Sequence, residues 1–233
     1  MARLAQVKLE APPGTFVQPF ELKARRAAVL ATGFAALDEL LGGGFPEGRI
    51  TELRGARGGR TALALQLAAR LTAQGRLVAV VDGPGALDPR GAAGLGVDLR
   101  RLLWVRPPAS RVASATDSAL RSAAFGLVVL DVASLPPARL PLEAAWVRLA
   151  RAAEASRTTL LVIGASARGP GFSAAAALML RRSRVHYVGR GPGRLLQGFT
   201  AEVELTHNKL GLAGGLAELR WRAPDPFPPL SAP

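Results

Sequence analysis

The chain has 233 residues, no cysteine and two histidines, which excludes a disulfide framework and a cysteine-ligated zinc site and argues against a histidine-rich metal site. Its formal net charge is +13, and 27 of its 30 basic residues are arginine. A high-GC genome accounts for arginine over lysine but not for the excess of base over acid, which favours a polyanionic partner, most often nucleic acid, over a merely basic surface. A single domain of this length buries roughly 70% of its unfolded surface and needs no metal or disulfide staple.

The first 14 residues lack the apolar stretch of a secretory signal. The most apolar runs, Leu127–Leu130 and Leu160–Ile163, are far shorter than the ~18 residues of a membrane span. The expected location is cytoplasmic, in association with the nucleoid. Three segments are expected: an N-terminal segment 1–28, a core 29–222, and a proline-rich tail 223–233 in extended or disordered form.

In chain order, Phe20–Leu30 reads as a short helix. A second helix starts at Thr32 or Gly33, carries Phe34, Leu37, Leu40 and Leu41 on one face, and stops at Gly42–Gly44. Arg49–Arg54 is a predicted strand, Gly55–Gly59 a glycine-rich turn, and Thr61–Ala73 a helix with Leu63, Leu67 and Leu71 four apart. Leu77–Val81 is a continuous apolar run ending in Asp82, as expected of a strand covered on both faces. Further strands are predicted at Leu102–Val105, Leu127–Leu130 and Thr158–Ile163, and helices at Ala109–Ala124 and Leu142–Ser156. This alternation implies βαβ crossovers and a mostly parallel sheet flanked by helices. Beyond Gly164 a loop, a short helix Ser173–Arg182, and strands at Val185–Val188, Phe199–Leu205 and Leu216–Trp221 suggest an antiparallel extension on the C-terminal side. His186 and His207 read as ordinary surface or strand residues.

A strand, a glycine-rich turn and a helix opening on threonine form the setting of a phosphate-binding loop, which needs G-x-x-x-x-G-K-[ST]. Here the run is Gly55-Ala56-Arg57-Gly58-Gly59-Arg60-Thr61. Counted from Gly55 it is one residue short; counted back from Thr61, Arg54 stands where the first glycine belongs. Lysine is replaced by Arg60 in both registers, and a planar guanidinium is no substitute for a compact ammonium. The helix N-terminus still leaves room for weak ATP or anion binding; the plainer reading is a tight turn kept for helix–strand packing. Asp131 closes its apolar strand where a metal-holding aspartate would stand, or serves as a turn carboxylate.

Together these segments resemble the RecA-like recombinase family. ATGFAALDELLGGGFPEGRITELRG (31–55), DGPGALDPRGAAGLGVDLRRLLWVRP (82–107), FGLVVLDVASL (125–135) and HNK (207–209) match its pattern in order and spacing over about residues 30–222. The resemblance implies a RecA-like core without the family's C-terminal domain, and it places three departures on the catalytic site. Pro84 stands where the family's water-activating glutamate stands, Arg60 replaces the lysine, and GASARGPGF (164–172) lacks the phosphate-sensing glutamine. The chain is accordingly expected to be no enzyme and to need no cofactor, with Gly55, Gly59, Arg60, Thr61 and Asp131 as a vestigial nucleotide site. Such eroded sites resemble the ImuA branch of damage-inducible mutagenesis proteins, related to SulA. That implies RecA or an ImuB-type polymerase homologue as partner, with DNA besides. The alternatives are an ATP-dependent recombinase regulator with an unusual phosphate loop and a SulA-like division inhibitor.

No acidic residue occurs between Glu154 and Glu202. Within or just beyond that stretch, Arg168, Arg181, Arg182, Arg184, Arg190, Arg194 and Lys209 are candidate contacts for DNA phosphates or a partner protein. Few aromatics are interleaved, Phe172 and Tyr187 among them, so base stacking on a platform is not expected.

Overall fold

The structure, a computed structural model, describes residues 28–55, 59–164, 169–189, 191, 194–211 and 213–222. The predicted N-terminal segment, except Ala28, and the proline-rich tail lie outside them. The predicted fold class is the observed one: a mixed α/β fold with a mainly parallel eight-stranded sheet, helices on both faces and antiparallel strands on the C-terminal side.

The elements are β1 (Val29–Leu30), α1 (Ala35–Leu41), β2 (Phe45–Pro46), β3 (Ile50–Gly55), α2 (Arg60–Ala73), β4 (Leu77–Asp82), α3 (Pro89–Gly94), β5 (Leu102–Val105), α4 (Val112–Arg121), β6 (Phe125–Asp131), α5 (Glu143–Ser156), β7 (Thr159–Ile163), β8 (Ala174–Val188), β9 (Leu195–Asn208) and β10 (Leu216–Arg222). The main sheet runs β10-β9-β8-β3-β7-β6-β4-β5. From β8 to β5 every neighbouring pair is parallel, and β8-β9 and β9-β10 are antiparallel. The apolar runs of β4, β6 and β7 are buried almost throughout because helices cover both faces. On one face Leu63, Leu67 and Leu71 of α2 pack with Leu53, Leu127 and Leu161; on the other Leu120 of α4 and Leu149 of α5 pack with Val128, Leu130 and Leu160.

Four expectations need correction. Ser173–Arg182 is no helix: the alanine run opens β8, where Ala174–Ala177 are buried between β3 and β9. Pairing on both edges outweighs the helical preference of alanine. The predicted helix over Ala109–Ala124 is a 3-10 turn at Ala109–Arg111 followed by the shorter α4. Of the helix expected over Phe20–Leu30, residues 20–27 lie outside the described residues; Val29 and Leu30 pair instead with Pro46 and Phe45. Helix α3 was not expected at all. Asp88 caps it by accepting from the Arg90 and Gly91 amides, with Pro89 at its first position, an arrangement suited to a short helix start.

Candidate functional site at the end of the parallel strands

The C-terminal ends of β3, β4, β6 and β7 meet the start of α2. Gly55 ends β3 with φ +91°, and a Cβ there would lie 2.1 Å from the Leu180 carbonyl oxygen of β8. Gly59 caps α2 with φ +97° and packs against the Leu180 side chain. Both glycines are thus required by close approach to the neighbouring strand. Residues 56–58, the middle of the turn, lie outside the described residues.

Arg60, the first residue of α2, does not reach outward. Only 4% of its surface is exposed, and its guanidinium donates to the carbonyl oxygen of Gly164, just past β7. It also lies close enough to Asp131 to favour that carboxylate's charged form. Thr61 follows, exposed. Asp131, at the end of β6, accepts from the Ala133 amide at 2.9 Å. Burial lifts its carboxyl above the ordinary range and the charge of Asp82 adds to this, against the opposing Ala133 amide and Arg60.

Asp82 ends the apolar strand β4. It is 2% exposed and accepts from the Ala86 and Leu87 amides at 3.0 and 2.9 Å and from the Trp104 indole at 3.1 Å. It therefore closes the Gly83–Leu87 turn, which includes Pro84. The Gly83 amide donates to the Asp131 carbonyl at 3.1 Å, holding the turn beside β6. A small cavity of about 40 Å³ lies among Thr61, Ala64, Leu65, Val80, Asp82 and Asp131; it has room for roughly one water molecule.

One feature of the site was not anticipated. Glu52 of β3 is fully buried and accepts from Arg54 at 2.6 Å, which holds the guanidinium more firmly charged. Its other carboxylate oxygen has no partner among the described residues, and Gly169 lies so close that a Cβ there would be 1.8 Å from it. A glutamate inside an apolar strand is the signal that sequence reading passed over.

The five residues expected to form a nucleotide site lie together at the strand ends, but the basic set does not gather in one place. Arg181 pairs with Glu204, Arg182 stands opposite Glu202, and Arg184 opposite Thr200, all on the β8–β9 ribbon. Arg194 lies over the Tyr187 ring at 4.6 Å. Lys209 is at the other end, its amide on the Ala175 carbonyl and its ammonium on that of Phe172. Ala175 and Val188 are thirteen positions apart along β8, about 40 Å. Arg168 and Arg190 lie outside the described residues. His186 and His207 both sit on strands, and His186 bonds Thr200 at 3.1 Å. No described helix is long and apolar enough to cross a membrane.

A sequence profile described as the RecA N-terminal domain matches residues 4–145. The chain belongs to the RecA family. RecA of Synechococcus sp. (strain CC9902) is 38% identical over 137 residues, 58% of this chain and 36% of that protein. RecA of Prochlorococcus marinus (strain MIT 9211) is 39% identical over 137 residues, 58% of this chain and 37% of that protein. This RecA-family chain thus spans little more than a third of the length of the curated relatives it matches. A crystal structure of the RadB recombinase superposes with a TM-score of 0.64 at 24% identity, covering 82% of this chain and 96% of that one, a likeness of fold.

Proposed function

We propose that this RecA-family chain is a non-hydrolysing accessory protein in DNA-damage-induced mutagenesis and translesion synthesis, working by binding RecA or an ImuB-type polymerase homologue, with DNA as a further partner. The observation that carries the reading is the position of Arg60. A phosphate-loop cation has to extend toward the β/γ oxygens; this one is buried, bonded to the Gly164 carbonyl and near enough to Asp131 to favour that carboxylate's charged form. The site's own side chain thereby supplies positive charge beside Asp131, where a nucleotide-bound metal would otherwise supply it.

The residues present do not fit a metal–nucleotide complex in the manner of a working site. Asp82 is committed to the turn amides and Trp104, and Pro84 carries no proton-transferring group where a general base would be needed. Gly55 and Gly59 are accounted for by packing against β8 alone. An accessory role through partner binding retains the fold while dispensing with turnover. The ImuA-type assignment rests on the three departures together with the matching order of the RecA-like segments.

The test is ATP binding and hydrolysis by the purified chain, with and without single-stranded DNA, alongside binding to purified RecA. Absence of turnover together with RecA binding supports the reading. Magnesium-dependent turnover lost on Thr61→Ala overturns it in favour of an ATP-dependent regulator.

A further inference from the structure

The outer face of the antiparallel extension forms a groove of about 980 Å³. Its layout follows from strand register. Arg184 of β8, Thr200 of β9 and Arg220 of β10 stand in one row; His186, Gly198 and Arg222 stand in the next. Strands are about 4.8 Å apart, so each row spans roughly 10 Å between its outer members. In these two rows the middle strand places Thr200 and Gly198 as the floor. Gly198 is held bare by the backbone of β10, since a Cβ would lie 2.0 Å from the Trp221 carbonyl oxygen. Beyond the second row, Val188 and Leu195 face each other, 52% and 47% exposed.

The groove is therefore basic along its length and aliphatic at its outer end. Among the described residues lining the groove, Arg184, Arg220 and Arg222 face one carboxylate, Glu218, which is paired with Arg220 on the exposed surface; Glu202 stands one row further on, between Arg182 and Glu218. Arg184 and Arg222 make no ion pair among the described residues. We propose that this groove is the docking site for an acidic, apolar segment of a partner protein. The proposal rests on the reading above that the chain works by binding a protein partner, and names the surface it uses. Carboxylates of the segment meet the arginines, and one or two apolar side chains cover Val188 and Leu195.

A polynucleotide fits the same face less well. Single-stranded nucleic acid needs aromatic faces as well as cations. Phe199 stacks on Trp221 at 4.4 Å with nearly parallel planes, and the Tyr187 ring is covered by the Arg194 guanidinium. Aliphatic side chains at the outer end offer burial of apolar area, not stacking. Apolar area beside unpaired arginines is the chemistry of a protein-binding surface.

The test uses the full-length chain and a fluorescein-labelled peptide of four aspartates followed by two leucines, read by anisotropy at 0.1 M salt. A (dT)12 oligonucleotide serves as the second probe. R184A/R222A is expected to weaken the peptide at least tenfold, and V188S/L195S at least fivefold. R100A/R121A removes the same charge elsewhere and is expected to change binding less than twofold. Unchanged melting curves establish that the variants fold. The proposal is overturned if the wild-type chain does not bind the peptide, or if R184A/R222A loses no more than R100A/R121A. It is overturned equally if oligonucleotide binding is what R184A/R222A abolishes while the peptide is unaffected. Should R184A/R222A bind purified RecA as tightly as the parent, the groove is not the seat of that interaction, yet the accessory reading stands; a parent that binds no RecA removes that partner instead.

Discussion

Replacing Arg60 by alanine removes a buried guanidinium that bonds the Gly164 carbonyl and offsets the charge of Asp131. A hydrogen bond from a charged group contributes ~1.5–3 kcal/mol. The Arg60 charge also favours the ionised form of Asp131, the smallest of the influences on that carboxyl. Asp131 keeps the Ala133 amide and is only half-buried, so a loss of about 2–3 kcal/mol is expected. In a domain of this size that lowers Tm by about 4–12 °C. The assay is thermal and urea unfolding at pH 7.5 of the parent, Arg60→Ala, Asp131→Asn and the double variant. If Arg60 compensates Asp131, the double variant is more stable than the two single changes add to, by about 1 kcal/mol or more. An arginine extended toward solvent, as a phosphate-reaching side chain is, would cost about 0.5 kcal/mol or less on removal. That small loss, with no coupling to Asp131, would refute the inward role of Arg60.

Two further expectations concern the same strand ends. The raised Asp131 pKa means that the folded chain binds that proton more tightly than the unfolded chain. Its ionised form therefore costs stability at neutral pH, a cost relieved as pH falls through the folded pKa toward the unfolded value. Asp131→Asn should be more stable than the parent at pH 7.5, with an advantage that shrinks on acidification to pH 4.5; an advantage that grows on acidification contradicts the assignment. Gly55→Ala drives a Cβ against the Leu180 carbonyl at a left-handed φ, and should lose about 2–5 kcal/mol in urea unfolding without any ligand present. Parent-like stability would mean that β8 does not impose the glycine.

Most of the parallel sheet was legible because its strands are buried on both faces and so read as unbroken apolar runs, as in Leu77–Val81 and Leu127–Leu130. Ala174–Ala177 defeated the same reading, since a run of alanines carries no strand preference and only the company of β3 and β9 makes it one. The convergence of Gly55, Thr61 and Asp131 followed from strand ends, which a parallel sheet gathers on one edge. The direction of the Arg60 side chain did not, because it depends on where the Gly164 carbonyl finishes, 104 residues later. The arrangement of the basic residues cannot be read from their proximity in sequence. Arg184 shares its outward face with Arg220 and Arg222 of β10, a strand pairing that the arginine-rich segment does not itself contain, while Lys209 returns to the far end of the ribbon.

We propose that this RecA-family chain has exchanged nucleotide turnover for partner binding. The most direct test is calorimetric titration of magnesium–ATP into the purified chain, followed by phosphate release with and without single-stranded DNA. No turnover is expected, and nucleotide binding no tighter than about 1 mM, equivalent to about 4 kcal/mol of binding free energy. DNA-stimulated phosphate release that disappears in Thr61→Ala would contradict it and make Arg60 a working phosphate-loop cation.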